Sequence, residues 1–355
     1  MSGDRDVDVI LEVPVTWLGN AADGDRHRQL SASILIALAH LGVTVRPVQL
    51  QFGADRAPRL ARPDQLVISY HSLGAGDNVL RFKESYVPPY YTVDPLGYSG
   101  YSELGQSPET FVSEVERFDL IRAVEFVSDL RERMIEGNAS KYRQDDVEEW
   151  LPEDYVFFPL QTVEDTVAEL ARFDQLDALH AVAAHAGQSG RWLLVKRHPQ
   201  CSSPRVTAAL EEIGALERVQ VVTGSIHRLI AGADVVVGCN SGVLFEALIH
   251  GVPVVSFGRS DFAMATAEVE TLADLLGAIE GRGRADAGFV QKFVAWYLLD
   301  YCVAAGDLDA VQRKIEGALA TLDIKSDGGS AAQLRLFDRA ASAERLRRGR
   351  ALRRT

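Results

Sequence analysis

The sequence has few cysteines, no long hydrophobic run and no excess of positive charge. Its three cysteines, Cys201, Cys239 and Cys302, lie far apart among 355 residues, which excludes a disulfide framework and a cysteine-rich metal site. No apolar run approaches the roughly 18–20 residues that cross a bilayer. The first residues lack the basic and apolar regions of a signal peptide. We therefore expect a cytoplasmic protein.

The charge balance excludes some partners and restricts others. The formal net charge is -13, which argues against a general nucleic-acid binder. The same charge would repel an anionic ligand, so an anionic substrate requires a locally basic pocket. Apolar residues make up 47% of the chain, which is enough to build the cores of two ordinary domains.

The apolar pattern predicts two series of alternating strands and helices. The first series starts at "VDVILEVPV", and the second runs from "DYVFFPLQ" to "VPVVSFG". Strands that are apolar throughout are typical of parallel sheets covered on both faces. We expect an α/β fold with two Rossmann-like domains facing each other across a cleft, the arrangement called GT-B. The predicted domains are residues 1–145 and 146–285, followed by C-terminal helices and a tail at 286–355.

The sequence also predicts two long helices, a loop and a charged C-terminal segment. We predict one long amphipathic helix over residues 111–135 and another over 167–187, which ends at a glycine. The segment "ESYVPPYYTVDPLGYSGYSEL", residues 84–104, is rich in Tyr, Pro and Gly and is predicted to be a shaped loop. The arginine-rich end, "RLFDRAASAERLRRGRALRRT", is either a solvated helix or a segment attracted to an anionic membrane surface.

Ligands of parallel α/β sheets bind beyond the carboxyl ends of the strands. The strand "WLLVK" ends in "KRHP", where Lys196 and His198 could bind a phosphate and Pro199 stops the strand. The alternative is a solvated basic loop. After the strand "DYVFFP" come Gln161 and Asp165; the carboxylate either faces a ligand or only stabilises a helix start.

A second strand end carries the sequence "GCNSGVLFEALIHG". Asn240, Ser241 and Gly242 open a helix, where backbone N–H groups and a hydroxyl can bind an anion. Ser241 could equally be only the helix cap. Glu246 lies one turn further, where it contacts a donor ribose or has a structural role.

The loop predicted at residues 84–104 supplies candidates from the first domain. Asp94, followed by Pro95 and Gly97, forms either a structural Asx turn or part of a site. Tyr98 and Tyr101 could bind an acceptor sugar, because tyrosine offers both a ring face and a hydroxyl.

Four of these motifs, taken in order, resemble the capsular polysaccharide synthesis family, which includes bacterial β-Kdo glycosyltransferases. The motifs are "SYVPPYYTVDPLGYSGYSEL", "FFPLQTVEDT", "VKRHP" and "NSGVLFEALIHGVPVVSFG". A later segment, "FVAWYLLDYCVAAGDLD", also resembles that family. The chain has Asp94 where the family usually has Glu, and it lacks the Gly-Trp-Gly segment of some members.

The resemblance implies a GT-B enzyme that uses a CMP-activated acidic sugar, typically CMP-Kdo, with no required metal or cofactor. It implies that His198 contacts the CMP phosphate and that Ser241 and Glu246 hold the nucleotide. Asp165 would be the nucleophile of a retaining mechanism, and Asp94 the acid/base. The partners would be a nucleotide sugar and a glycan or lipid-linked glycan acceptor. Peripheral association with the inner membrane through the arginine-rich tail is the alternative to a solvated helix at that end. The donor could instead be CMP-sialic acid or a UDP-sugar, or the chain could be a non-catalytic scaffold of polysaccharide assembly.

Overall fold

The structure is a computed structural model that describes residues 8–14, 24–50, 62–74, 76, 78–145, 150–281 and 285–322. Its strands are, in chain order, β1 (Val9–Pro14), β2 (Val45–Leu50), β3 (Leu66–Tyr70), β4 (Val79–Glu84), β5 (Tyr90–Asp94), β6 (Tyr155–Pro159), β7 (Trp192–Lys196), β8 (Val219–Val222), β9 (Ala233–Gly238), β10 (Val254–Ser256), β11 (Ala267–Glu268) and β12 (Cys302–Ala304). Its α-helices are α1 (Gly24–His40), α2 (Glu103–Gln106), α3 (Val112–Arg117), α4 (Leu120–Glu136), α5 (Gln175–Ser189), α6 (Pro204–Ile213), α7 (Ile226–Ala231), α8 (Gly242–His250), α9 (Leu272–Ile279), α10 (Ala287–Trp296) and α11 (Leu308–Thr321).

The first compact unit comprises Met1–Ser85, Pro89–Tyr98 and Tyr301–Thr355. Its sheet has the strand order β12-β5-β4-β3-β1-β2. The strands β1 to β4 run parallel, whereas β5 and β12 pair antiparallel at one edge. Helices α1 and α11 pack together over a core that includes Leu38 and Ile315.

The second unit comprises Tyr86–Pro88 and Ser99–Asp300. Its sheet has the order β11-β10-β9-β6-β7-β8 and is parallel at every pairing of the described strands. The central strands are buried, and their side chains form a core with α5, α6 and α9. The predicted α/β class, with one Rossmann-like sheet in each unit, is confirmed.

Two predicted helices are interrupted by polar caps. Residues 111–135 form two helices, because the chain is extended at Phe118 and the Asp119 side chain accepts a hydrogen bond from Arg122 N at 2.7 Å, which starts α4. Residues 166–170 form only a 3₁₀ turn, and α5 begins later, where the Asp174 side chain accepts from Leu176 N at 2.7 Å. In both caps an aspartate side chain accepts a hydrogen bond from a backbone N–H group at the start of the new helix.

The prediction of a loop across residues 84–104 was wrong for its central part. Tyr90–Asp94 forms β5, which pairs with β4 on one side and with β12 on the other. The turn-forming residues on either side suggested a loop, but strand pairing with distant residues decides the conformation here.

The division between the units differs from the domain boundary predicted near residue 145. Residues 99–145 lie in the second unit, and the chain returns to the first at Tyr301. The return follows from the pairing of β12 with β5 and the packing of α11 on α1. The arginine-rich tail lies outside the described residues. Within the described ranges, no helix is long and apolar enough to cross a membrane.

Candidate functional site

The parallel sheet of the second unit has a topological switch point at its centre. The chain builds β6, continues to β7 and β8 on one side, and then crosses to β9 and β10 on the other. Such a reversal leaves a crevice beyond the carboxyl ends of the two central strands, where ligands of open α/β sheets bind. Gln161 follows β6 and Asn240 follows β9, so both lie at this point.

Gln161 and Asn240 hold the loops at the switch point. The backbone N–H of Asn240 donates to Gln161 Oε1 at 3.2 Å, and the Asn240 side-chain amide donates to Val167 O at 2.8 Å and to Arg259 O at 3.1 Å. Asn240 Oδ1 is buried and has no hydrogen-bond partner among the described residues. A buried acceptor without a donor is costly, so a ligand N–H or O–H would find a vacant acceptor there.

Ser241 caps helix α8. Its hydroxyl accepts from Val243 N at 3.4 Å, and its backbone is extended, as the N-cap position requires. Gly242 follows, and a Cβ atom there would lie 3.3 Å from the Tyr86 ring, so glycine suits this close approach. The helix start therefore presents backbone N–H groups and the positive end of its dipole beside the switch point.

Lys196 is the last residue of β7. Its ammonium group donates to the carbonyl oxygens of Thr223, at 3.1 Å, and Gly224, and to Gln144 Oε1 at 3.4 Å. The carbonyl oxygens fix the ammonium group at the carboxyl edge of the sheet. Arg197 turns away from this position, and its guanidinium donates to Ser203 O at 3.3 Å.

His198 lies in the turn after β7, ahead of the exposed Pro199. Gln200 N donates to His198 Nδ1 at 3.1 Å, which leaves the proton of the neutral imidazole on Nε2. Burial lowers the pKa of His198, the charge of Lys141 lowers it further, and Asp165 acts in the opposite direction. At neutral pH, His198 is thus an uncharged donor through Nε2–H.

Asp165 is exposed and sits just before the 3₁₀ turn Thr166–Leu170. Its side chain makes no cap hydrogen bond, so stabilisation of a helix start does not explain its position. Its charge affects the pKa of His198, which places the two side chains within electrostatic reach of each other. Tyr101, one of the predicted acceptor-side residues, donates from its hydroxyl to Thr166 O at 3.1 Å, beside Asp165.

Glu246 lies on α8 and is 2% exposed. The Ser140 hydroxyl donates to its Oε1 at 2.8 Å, and its Oε2 has no hydrogen-bond partner among the described residues. Burial raises the pKa of Glu246 to about 8, although Ser140 and the charge of Lys196 both act to lower it. The carboxyl group is therefore mostly protonated at neutral pH.

Two histidines, the buried His227 and the half-buried His250, lie next to Glu246 and were missed in the sequence. His227 Nε2 donates to Ala139 O at 2.9 Å and lies 4.0 Å from Glu246 Oε2; His227 Nδ1 is 3.0 Å from His250 Nε2. Burial lowers the pKa of both, that of His250 to about 4. These residues belong to different helices and have no shared motif, so no local pattern could have identified them.

The sequence-predicted residues of the second unit thus meet at one edge of one sheet. We call this group the edge site; it consists of Gln161, Asp165, Lys196, His198, Asn240, Ser241 and Glu246. The ends of β6, β7 and β9 and the start of α8 position these side chains. A neutral hydrogen-bond donor, an ammonium group, a helix start and an exposed carboxylate together suit a phosphorylated ligand with an electrophilic centre.

Asp94 lies in the first unit, at the end of β5, and is 1% exposed. Its Oδ1 accepts from Leu96 N at 2.7 Å and Gly97 N at 2.8 Å, and its Oδ2 accepts from the Tyr301 hydroxyl at 2.7 Å. This is the geometry of the structural Asx turn that the sequence left open as an alternative. A proton-transfer role for Asp94 stays a prediction.

Tyr98, the other predicted acceptor-side residue, is 5% exposed and packs against His71, with ring centroids 4.8 Å apart. His71 follows β3 and has a φ of 54°, a conformation that non-glycine residues seldom adopt. The tyrosine ring is therefore mostly packed inside the first unit.

The first unit also contains a buried polar network that the sequence did not indicate. His27 Nε2 lies 3.2 Å from Glu84 Oε1, and the Tyr91 hydroxyl lies 2.8 Å from His27 Nδ1. Burial alone would raise the pKa of Glu84, but the charge of Lys83 and the hydrogen bonds from His27 and Lys83 lower it below its ordinary value. Glu84 is thus held as a carboxylate.

Comparison with solved structures shows which type of fold the chain has. The chain has a GT-B-like fold, similar to that of a Thermosulfurimonas dismutans protein described as KpsC, beta Kdo 2,7 transferase; the TM-score is 0.51 and the identity 17%, over 86% of this chain and 99% of that one. A second structure from that organism, described as KpsC, beta Kdo 2,4 transferase, gives a TM-score of 0.47 at 17% identity, over 88% of this chain and 98% of that one. A Methanocaldococcus jannaschii UDP-GlcNAc 2-epimerase gives a TM-score of 0.30 at 10% identity, over 81% and 98%.

Part of the second unit is similar in sequence to a known family. Residues 130–274 match the family described as capsule polysaccharide biosynthesis protein. This matched segment contains all seven residues of the edge site. No curated protein sequence gives a significant match.

Proposed function

We propose that this protein is a glycosyltransferase of capsule or surface polysaccharide biosynthesis. It transfers an acidic sugar, Kdo, from a CMP-activated donor to a glycan or lipid-linked glycan acceptor. The observation that supports this proposal is the meeting of Asp165, Lys196, His198 and the start of α8 at one sheet edge. The match of residues 130–274 to the family described as capsule polysaccharide biosynthesis protein supports the same class of substrate.

The first step of the proposed reaction releases CMP. The bond between the anomeric carbon and the phosphate oxygen breaks, and CMP leaves with the electron pair, so negative charge grows on the phosphate. His198 donates a hydrogen bond from Nε2, Lys196 supplies a positive charge, and the N–H groups at the start of α8 add a partial positive charge. Together these groups stabilise the leaving group within a protein whose net charge is -13.

The sugar carbon becomes electron-poor as CMP leaves. The Asp165 carboxylate bonds to this carbon from the opposite face and forms a covalent glycosyl-enzyme. An acceptor hydroxyl then attacks the same carbon, loses its proton to a base, and releases Asp165. Two inversions give net retention. Asp94 is the base that the family resemblance implies; its two oxygens accept hydrogen bonds from Tyr301 and from two backbone N–H groups, so this role requires those bonds to open.

Replacing Asp165, the proposed nucleophile, tests the covalent step of the reaction. We expect Asp165→Ala to lower the transfer of Kdo from CMP-Kdo to a lipid-linked glycan by about 10³-fold or more, because the covalent step is lost. The measurement is mass-spectrometric analysis of the glycan product after fixed incubation times. Glu164→Ala is the matched control, since it removes the neighbouring exposed carboxylate and leaves Asp165 in place.

The fold of each variant is checked by thermal denaturation. Full activity in Asp165→Ala would contradict the nucleophile assignment. A wild-type protein that binds CMP and makes no product would contradict transfer itself. That second outcome would favour a non-catalytic role in polysaccharide assembly, for which the engaged carboxylate of Asp94 is the supporting observation.

A further inference from the structure

A polar segment of the second unit lies directly over the edge site. We call residues 138–144 the strap. It follows α4, whose end is closed by hydrogen bonds from Asn138 N to Ile135 O at 3.1 Å and from Ala139 N to Met134 O at 2.9 Å. Asn138 has a φ of 43°, the left-handed conformation that asparagine tolerates and that turns the chain here. The helix end thus fixes where the strap begins.

The strap makes hydrogen bonds to groups that a nucleotide would use. The Ser140 hydroxyl donates to Glu246 Oε1 at 2.8 Å. A ribose hydroxyl bound by the same carboxyl group would make the same kind of hydrogen bond at the same oxygen. Ser140 and a ribose hydroxyl would therefore compete for this carboxyl oxygen.

A second strap residue, Gln144, places its side-chain oxygen where two donors of the second unit converge. Gln144 Oε1 accepts from Lys196 Nζ at 3.4 Å and from Ile226 N at 3.1 Å. An ammonium group and a backbone N–H that converge on one oxygen are the donors that proteins use to bind phosphate oxygens. The Gln144 side-chain N–H is turned back to Tyr142 O at 2.8 Å, which keeps the amide oxygen directed at these donors.

The middle of the strap lies at His198. The Tyr142 ring meets the His198 ring edge to face, with centroids 5.1 Å apart. The charge of Lys141 also reaches His198 and opposes its protonation. The strap thus contacts Lys196 and His198, to which the proposed function assigns the phosphate. It also contacts Glu246, which the family resemblance implies holds the nucleotide.

The strap is held mainly by hydrogen bonds, which a ligand or water can replace. Every residue from 138 to 144 is exposed or half-buried, so the strap adds little apolar area to the core. Its anchoring hydrogen bonds, from Ser225 to Asn138, from His227 to Ala139 and those described above, are of the kind that a ligand or water can replace. Segments of this type open at low free-energy cost.

We propose that the strap is an internal ligand of the edge site: it occupies the hydroxyl and phosphate positions in the free protein and leaves them when a nucleotide binds. This inference rests on the proposed function, because it requires that the edge site binds a nucleotide. A nucleotide binds only to molecules in which the strap is open. The apparent nucleotide affinity is therefore lowered roughly by the ratio of docked to open molecules. Weakening the strap without touching the edge site therefore increases nucleotide affinity.

The test is calorimetric titration of the full chain with CMP. We expect Ser140→Ala/Gln144→Ala to bind CMP about tenfold more tightly than the wild type, because both mimicking groups are gone and the strap docks less. Arg143→Ala is the matched control: its side chain is exposed, and within the described part of the chain no hydrogen bond joins it to the edge site. It should bind CMP as the wild type does.

Hydrogen exchange in the wild type supplies a second measurement that needs no variant. We expect the backbone amides of residues 138–144 to exchange faster when CMP is bound. Weaker or equal binding by the double variant, or slower exchange, would overturn the inference and identify the strap as a wall of the nucleotide site. If neither protein binds CMP, the proposed function fails and the inference fails with it.

Discussion

Glu246 illustrates how a residue's surroundings decide what its charge can do. Its carboxyl group is 2% exposed, and burial raises its pKa to about 8. The folded state therefore favours the protonated form more strongly than the unfolded state does. This contribution to stability is complete below the unfolded pKa of about 4.5 and is lost as the pH rises through about 8.

Replacing Glu246 by its neutral isostere tests this assignment. Relative to the wild type, Glu246→Gln should gain stability as the pH rises from about 5 to about 9, by an amount on the order of a few kcal/mol, because no buried carboxylate has to form. Urea denaturation at pH 5, 7 and 9 measures the difference. Glu211→Gln on the exposed side of α6 is the control, and its pH profile should follow that of the wild type. Parallel profiles for Glu246→Gln would show that the carboxyl group is not buried.

The candidate residues could be predicted from the sequence where their chemistry is local. His198, Lys196 and Ser241 follow strand ends, and strand ends can be located from apolar runs and the residues that stop them. Asp94 shows the limit. Its Oδ1 bonds belong to a local turn and were considered, but its Oδ2 partner, Tyr301, lies more than 200 residues further along and could not be predicted.

Helix α8 carries two functions in one short element. Its start combines a serine cap with backbone N–H groups at the edge site, and it ends at Gly251, whose φ of 76° suits a left-handed cap. The strand–helix alternation that positions α8 was predictable, because it depends on local periodicity. Strand β5 was not, because its pairing with β4 and β12 overrides a composition rich in turn-forming residues. The contacts of the strap could not be predicted either, because its hydrogen-bond partners in the edge site and in α7 lie 52 to 106 residues away along the chain.

Removing the cap of α8 separates its two functions. Ser241→Ala should cost about 1 kcal/mol of stability, as the loss of an N-cap does, and should also weaken CMP binding several-fold. Thr271→Ala removes a hydroxyl cap of α9, where the side chain accepts from Asp274 N at 3.2 Å. It should cost similar stability and leave CMP binding unchanged. Chemical denaturation and calorimetric titration of both variants measure the two effects. Equal CMP affinity in both variants would show that Ser241 is only a cap.

The net charge of the whole molecule is opposite in sign to the charge of the donors at the edge site. The chain carries a formal charge of -13, yet the turn after β7 places Lys196 and His198 next to the start of α8. An anionic ligand must be bound by this local group of donors against the average field of the protein. Each unit has its own sheet and core, and the edge site belongs entirely to the second. The prediction of two α/β units follows from the apolar pattern, whereas the return of the chain to the first unit at Tyr301 depends on contacts between the two ends of the sequence.

Thermal denaturation of the full chain with CMP, UDP and GDP measures whether the folded protein binds a cytidine nucleotide in preference to other nucleotides. We expect CMP at a hundredfold excess over its dissociation constant to raise Tm by roughly 5 °C, more than UDP or GDP does, because binding to the folded state alone stabilises it. His198→Ala should lose most of that shift. A wild-type protein that responds to UDP and not to CMP, or a His198→Ala variant with the full CMP shift, would contradict the account.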